Sequence, residues 1–279
     1  MPEGIFQDNI DRFTIDRLKR PADFSMGAPH YHPYYELYYL CSGQCRMFIH
    51  NTIYYAAPGD IFLIPPSKLH RTIYGDGKGA DRYDIRFIPS YLSKFSEHGS
   101  KGLDEIFSCP KLTVPAAKRP DLELLLSKME KETAHPDAYS QFQIPSLLAQ
   151  LLIGLARLEH QMQSPAIQSL NQADEAIQEA VHYIHRCHRQ NVTLRSAAQA
   201  AHMSTSYFSK KFKETTGFGF KEYLTHLRIQ DSENLLKTTS LPITEIALTC
   251  GFSDGNYFGD AFRKIKGISP NQYRRQKEF

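Results

Sequence analysis

Short apolar runs alternate with polar turn residues in the first third of the chain. Between about residue 30 and Phe87, aromatic and β-branched residues dominate, and turns are marked by Gly, Pro, Asn and Asp at positions such as 58–60 and 75–77. Short strands at this spacing are typical of a small β-barrel or sandwich. This region is therefore predicted to be a compact all-β unit.

A helical pattern replaces the strands from Ser90 to about Gln163. In its strongest segment, Gln143–Gln161, apolar residues alternate spacings of four and three, at Ile144, Leu148, Leu151, Leu155 and Leu158, with Leu147 and Leu152 beside them. Such a seam packs either against its own barrel or against a second copy of the helix. Because the stripe is wider than one seam needs, we expect it to serve both, and the chain to form a homodimer.

A polar stretch, residues 163–172, separates this part from an entirely helical remainder. We predict a cupin-like barrel at 1–90, a helical segment at 91–163, a linker at 164–173 and an all-α domain at 174–279. The fold class is therefore α+β.

The helical remainder contains an internal repeat. Four features recur at an offset of 50 residues: Tyr207-Phe208 with Tyr257-Phe258, Phe212 with Phe262, Gly217 with Gly267, and Tyr223 with Tyr273. Upstream the offset is 49, and it relates Leu194 to Ile243, Ala198 to Ala247 and Ser204 to Ser253. Each copy predicts a helix, a tight turn and a second helix. Thr193 and Ser204 are the expected caps in the first copy, and Gly251 and Ser253 are the expected turn and cap residues in the second.

Two helix-turn-helix units can place two helices in successive major grooves of DNA. The second helix of the first copy, Thr205–Thr216, is expected to expose Ser206, Ser209, Lys210 and Lys213 and to bury Tyr207, Phe208 and Phe212. A helical bundle with solvated lysines is the alternative. Two copies with matching caps and closing glycines favour a DNA reader.

Charge and composition agree with a DNA-binding regulator. Residues 174–279 carry 15 Lys and Arg against 11 Asp and Glu, whereas the rest of the chain carries 18 against 19. Five cysteines without a CxxC pair argue against a disulfide framework or a zinc ribbon. The N-terminus lacks the features of a signal peptide, and Leu147–Leu158 is too short and too interrupted to cross a bilayer. We expect a cytoplasmic protein without a membrane partner.

Residues 191–275 resemble the DNA-binding domain of the AraC/XylS family of bacterial transcription regulators. The stretch 246–274, IALTCGFSDGNYFGDAFRKIKGISPNQYR, is similar to the family signature. The resemblance implies base contacts from Ser206, Ser209 and Lys210 in the first helix and from Gly255, Asn256 and Asp260 in the second. Asp260 departs from the usual cation or neutral polar residue, so the first unit is expected to read more sequence. The expected phosphate contacts of the second unit are Arg263, Lys264 and Lys266.

The segment from His30 to Gly43 resembles the first cupin motif, and Gly59 to His70 partly matches the second. Alternate residues of a strand share a face. The candidate effector-binding residues are His30, His32, Tyr34, Glu36, Tyr38, Arg46 and His70. In enzymatic cupins the set that His30, His32, Glu36 and His70 resemble binds a divalent metal. Regulatory cupins usually work without one, so no cofactor is expected.

The sequence predicts a transcription regulator controlled by a small molecule, with a sugar among the candidates, and partnered by an operator and RNA polymerase. Tyrosine rings and polar groups suit sugar faces and hydroxyls. The alternatives are a cupin metalloenzyme fused to a DNA-binding tail, and a constitutive regulator whose N-terminal part only dimerises.

Overall fold

The computed structural model describes residues 12–21, 31–74, 79–95, 99–161 and 170–275. The chain separates into two compact units, residues 1–50 with 54–169, and residues 170–279 with 51–53. Within the described ranges, every helix falls short of the combined length and hydropathy that crossing a membrane requires.

The first unit contains two antiparallel sheets. Its described strands are β1 (Phe13–Arg20), β2 (Tyr35–Ser42), β3 (Cys45–Ile49), β4 (Thr52–Ala56), β5 (Asp60–Ile64), β6 (His70–Ile73), β7 (Ala80–Phe87) and β8 (Lys111–Thr113). One sheet has the order β1-β7-β2-β5-β8 and the other the order β4-β3-β6. The predicted all-β region is confirmed. The described strands pair as two sheets that are not closed into the predicted barrel. The outer strands β1 and β8 were not expected from the sequence.

Both faces of the central strand β2 are buried, and each face has its own neighbours. Leu37 belongs to a large apolar cluster that also includes residues of the helices that follow. Tyr38 belongs to a cluster between the two sheets, together with Met47 of β3 and Phe62 of β5. Because side chains alternate along a strand, β2 separates the helix-covered face from the space between the sheets.

Three helices cover the larger sheet: α1 (Gly99–Ile106), α2 (Arg119–Ala134) and α3 (Ser140–Gln161). Short 3₁₀ turns lie at Pro89–Phe95 and Ala116–Lys118. The predicted seam of α3 is buried in the chain's own core, where Leu148 is 0% and Leu151 2% exposed. Of the two roles expected for this seam, the structure therefore assigns packing within the chain.

From residue 170 to residue 275 the second unit is helical apart from turns. Its helices are α4 (Gln172–Cys187), α5 (Leu194–Ala200), α6 (Thr205–Thr216), α7 (Phe220–Thr238), α8 (Ile243–Thr249), α9 (Gly255–Lys266) and α10 (Pro270–Arg275). The pairs α5–α6 and α8–α9 are the two predicted helix-turn-helix units, and α7 lies between them in sequence and packs against both α6 and α9.

Local signals fix the ends of these helices. The Thr193 side chain accepts a hydrogen bond from Ser196 N at the start of α5, and Ser204 accepts one from Tyr207 N at the start of α6. Gly217 and Gly267 end α6 and α9 in the left-handed conformation, at φ of 83° and 76°. The expected caps of the first copy and both closing glycines are confirmed.

The cap predicted for α9 was wrong. Asp254, and not Ser253, is the N-cap, and its carboxylate accepts hydrogen bonds from Asn256 N at 3.0 Å and Tyr257 N at 3.3 Å. Asp254 therefore corresponds to Ser204 at the 50-residue offset. The one-residue slip lies before the cap, in the turn where Gly251 and His202 both have positive φ.

Candidate functional site

Three titratable side chains of the first unit meet between its sheets. His32 Nε2 lies 2.7 Å from Glu36 Oε2, and His70 Nε2 lies 3.4 Å from the same oxygen. All three residues are buried. Glu36 is placed there by β2 and His70 by the start of β6, whereas His32 reaches the site from the segment just before β2.

Backbone carbonyls orient both imidazoles. The carbonyl oxygen of Tyr34 accepts from His32 Nδ1 at 2.8 Å, and that of Lys68 accepts from His70 Nδ1 at 2.8 Å. Each Nδ1 must therefore carry a proton, and each Nε2 is directed toward Glu36. A carbonyl partner at Nδ1 orients each Nε2, which binds a metal in the neutral imidazole and donates to a carboxylate in the imidazolium.

Charge pairing determines the ionisation of this cluster. Burial by itself raises the pKa of Glu36, but hydrogen bonds from His32 and His70 hold that pKa well below its usual value. Burial lowers the pKa of His70, and the neighbouring Glu36 carboxylate more than offsets this, so that the pKa is raised. We infer an ionised Glu36 carboxylate beside a charged His70 imidazole, because opposite charges that lie close together favour both charged forms.

A second set of polar side chains extends this cluster. The Tyr38 hydroxyl lies 3.2 Å from the Tyr74 hydroxyl and 3.2 Å from Cys45 Sγ. The Arg82 guanidinium lies 4.7 Å from the centre of the Tyr38 ring, and its Nη1 donates to Asp84 Oδ2 at 3.2 Å. The space between the sheets thus holds both cationic hydrogen-bond donors and carboxylate acceptors.

Sequence reasoning missed Arg82, Asp84 and Arg86, which alternate along β7 with Tyr83 and Ile85. Arg86 Nη2 donates to Asp84 Oδ2 at 2.9 Å. The alternation was visible in the sequence, but an alternating strand usually directs its polar side to solvent. Here helices cover the apolar side of β7, and the polar side faces the second sheet, so both sides are buried.

The structure brings together most, but not all, of the predicted effector-binding residues. His32, Tyr34, Glu36, Tyr38 and His70 are brought together, with the Tyr34 ring stacked on the His32 ring at 3.9 Å. Arg46 lies on the opposite face of β3 from Cys45 and Met47, which line the space between the sheets. The structure therefore corrects its placement in this site. His30 lies outside the described residues.

The arrangement has two chemical capacities. Buried donors and acceptors beside tyrosine rings match a small polyhydroxylated molecule, whose hydroxyls need partners and whose ring faces need flat apolar contacts. The ligand atoms of His32, Glu36 and His70 also lie within 4.8 Å of one another, which is compatible with a divalent metal ion.

A concavity of about 290 Å³ lies between α2 and α3, apart from this cluster. Leucines dominate its lining, including Leu122, Leu125 and Leu155, with Lys118 and Asp121 beside them. It offers few polar groups to fix a ligand's orientation, so the cluster between the sheets is the stronger candidate.

The first reading helix, α6, exposes the predicted polar residues. The four side chains expected on this face are all exposed: Ser206, Ser209, Lys210 and Lys213. Phe208 and Phe212 are fully buried, as expected, but Tyr207 is 53% exposed. The prediction that Tyr207 is a core residue was wrong, because its position on the helix lies at the edge of the buried face.

In the second reading helix, α9, most of the predicted DNA-contact residues are exposed, but one is not. Asn256, Arg263 and Lys264 are exposed, and so is Asp260. Lys266 instead turns inward, where its Nζ lies 2.5 Å from Glu233 Oε1 and its side chain is 10% exposed. The phosphate contact expected of Lys266 is therefore corrected, since its charge is already paired inside the unit.

Two family models match the chain. The one described as "AraC-like ligand binding domain" covers residues 17–152, and the one described as "Helix-turn-helix domain" covers residues 197–276. The first contains the polar cluster between the sheets, and the second contains both reading helices.

Several relatives of this chain are named as transcription regulators. The HTH-type transcriptional activator RhaR of Enterobacter sp. (strain 638) is 23% identical over 88% of this chain and 86% of its own length. The arabinose operon regulatory protein of Escherichia coli (strain K12) is 27% identical over 78% of this chain and 72% of its own length. The uncharacterized HTH-type transcriptional regulator YijO of Escherichia coli (strain K12) is 43% identical, over 37% of this chain and 36% of its own length.

Proposed function

Because the chain belongs to the AraC/XylS family of DNA-binding transcription regulators, with an N-terminal ligand-binding domain, we propose that a sugar bound between the sheets controls its DNA binding. The observation that carries the proposal is the buried cluster of His32, Glu36 and His70, continued by Tyr38 and Tyr74. One relative regulates an arabinose operon, which supports a carbohydrate effector.

Binding would exchange internal hydrogen bonds for bonds to the effector. Glu36 and Asp84 are buried carboxylates held by several donors, so a ligand hydroxyl can replace one partner without leaving a charge unpaired. Such an exchange changes the packing of β2, whose other face contributes Leu37 to the core shared with α2 and α3. We propose that this strand transmits effector binding to the helices of the first unit.

A thermal-shift screen of the full chain against a panel of aldoses, deoxyaldoses and polyols tests the proposal. At least one sugar is expected to raise the unfolding temperature and to change affinity for a DNA duplex selected by the protein from a random library. Glu36→Gln should abolish the shift, whereas Asp16→Asn, at an exposed position of β1, should retain it. The proposal fails if no sugar changes either quantity.

The same three side chains favour a second candidate function, regulation by a divalent metal ion. Both Nε2 atoms and one carboxylate oxygen face a common point, while each Nδ1 is held by a carbonyl. Elemental analysis of the purified chain, before and after chelation, separates this candidate from the sugar. Stoichiometric Mn, Fe, Ni or Zn that is lost in Glu36→Gln would favour the metal.

We further propose that the regulator is a cytoplasmic homodimer that contacts RNA polymerase at its operator. The outward face of α3 carries Phe142, which is 61% exposed, and Ile153, which is 50% exposed. Ser146, Ala149 and Ala156 continue the same stripe at spacings of three and four. This face offers a second copy an apolar surface, whereas the predicted inner seam is already buried.

A further inference from the structure

Two exposed tyrosines occupy equivalent places on the two reading helices. Tyr207 is 53% and Tyr257 54% exposed, whereas the neighbouring Phe208 and Phe258 are 0% exposed. Each tyrosine is the third residue of its helix and donates its backbone N–H to the cap, Ser204 in α6 and Asp254 in α9. Burial in the core therefore does not explain why either ring is placed there.

Helical geometry locates Tyr207 on the surface of α6. Successive residues are 100° apart, so the exposed face runs from Ser209, through Lys213, Ser206 and Lys210 at its centre, and past Glu214 to Tyr207 at one edge. The next position around the helix beyond Tyr207 is that of Lys211, whose side chain is only 18% exposed.

The second reading helix repeats this arrangement. Its exposed face is centred on Arg263, Asn256 and Asp260, and Tyr257 lies at the same edge as Tyr207 does in α6. The Tyr257 ring is also in contact with the Phe252 ring, with centroids 6.0 Å apart, which restricts its orientation. The two reading helices thus present a phenol at equivalent positions.

We propose that the hydroxyls of Tyr207 and Tyr257 donate hydrogen bonds to DNA phosphates at the wall of the major groove. When a recognition helix lies in that groove, the centre of its exposed face meets base edges and its margins meet the sugar-phosphate backbone. A phenol at the margin reaches a phosphate oxygen as a neutral donor. The inference depends on DNA binding by α6 and α9 and is independent of the effector.

These contacts matter most in the second unit. There Gly255 and Gly259 offer no side chain, Asp260 repels phosphate, and Lys266 is paired with Glu233. Tyr257 with Lys264, which lies at the same margin, would then hold α9 against the backbone. Because phosphates are the same in every sequence, the two tyrosines set the register of the helices without selecting bases.

Phenylalanine substitution in the full chain tests the proposal, because it removes only the hydroxyl. Binding is measured on a duplex selected by the protein from a random library and on a mixed-sequence duplex of equal length. Tyr207→Phe and Tyr257→Phe should each weaken binding about tenfold on both duplexes, the usual worth of a hydrogen bond to a charged group. Tyr139→Phe, at a 75% exposed position of the first unit, is the matched control and should bind as the wild type does.

Salt dependence separates the tyrosines from the lysines. A neutral donor releases no counterion, so the slope of log K against log salt should not change in either tyrosine variant. Lys264→Ala, which removes an exposed cation at the margin of α9, should instead reduce that slope by about 0.9. Unchanged affinity on both duplexes would overturn the proposal. So would a loss confined to the selected duplex, since that result would mean that the tyrosines read bases.

Discussion

Lys211 Nζ lies 3.2 Å from Asp174 Oδ1, an oxygen that also accepts a hydrogen bond from Thr215 at 2.9 Å. Asp174 is fully buried in the first turn of α4, and both partners belong to α6. The first turn of α4 is therefore tied to the inner side of the first reading helix. Lys211 is held away from the exposed face that carries Lys210.

Loss of this carboxylate should destabilise the second unit. Asp174→Ala leaves Lys211 and Thr215 without a partner in a largely buried place, which costs about 2–3 kcal/mol of unfolding free energy. Urea unfolding of the full chain, followed by a probe in the second unit, measures the change. Glu175→Ala removes an exposed carboxylate one residue away and should have almost no effect. Equal losses in the two variants would contradict the structural role of Asp174.

The stability of the second unit should fall in mild acid because of His226. Burial, together with the charges of Lys266 and Lys264, lowers the pKa of this imidazole from 6.5 to about 4. Between these two values the unfolded chain binds a proton that the folded chain does not, so stability declines as pH falls from about 6.5 to about 4. At about 1.4 kcal/mol per pKa unit, the decline is about 3 kcal/mol.

Unfolding free energies at several pH values across this range test the assignment. His226→Gln should flatten the decline, since glutamine does not titrate, while His202→Gln, at an exposed turn position, should leave it intact. A His226→Gln profile as steep as that of the wild type would show that another group is responsible.

Lys210→Ala should weaken binding to a selected duplex by about 1–3 kcal/mol, the usual value of a good base contact. Its side chain is 78% exposed at the centre of the α6 face, and its only close charge among the described residues is Glu214 at 3.9 Å. Competition against mixed-sequence DNA distinguishes a base contact from a phosphate contact. An equal loss on both duplexes would assign Lys210 to a phosphate.

Asp260→Arg should strengthen DNA binding and steepen its salt dependence. Asp260 is exposed on α9, where its carboxylate repels phosphate, and the substitution replaces that repulsion with a cation that releases about one further counterion. Asp260→Asn, which removes the charge alone, should give part of the gain in affinity. Weaker binding by either variant would mean that Asp260 already makes a favourable contact, such as accepting from cytosine.

Ile153→Glu should yield a folded monomer, because it places a charge on the exposed face of α3. Sedimentation over a range of concentrations would follow the change. Leu151→Glu with Leu155→Glu should instead unfold the first unit, since both leucines are buried in its core. If the wild type sediments as a monomer at tens of micromolar, the proposed dimer surface is incorrect.

Local signals in the sequence were enough to predict much of the second unit. Caps such as Thr193 and Ser204 and the left-handed glycines Gly217 and Gly267 act within a few residues, so their effect is visible in the sequence alone. The internal repeat supported the prediction of two helix-turn-helix units, because the same pattern of residues occurs in both copies. The prediction was wrong at the α9 cap, where Ser253 and Asp254 are both good caps and only the backbone path decides between them.

The sequence by itself determined that a strand-rich region precedes a helical one and that there are two reading helices, because periodicity and capping are local. Only the tertiary structure decided which face of each element is inside. β7 alternates in the same way whether its polar side meets water or the second sheet, and the packing of the second sheet on that side decides that Arg82 and Asp84 are buried. The same cause buries the inner seam of α3, exposes Tyr207 and pairs Lys266 with Glu233. Burial is a property of what packs on a surface, and distant segments of the chain supply that packing.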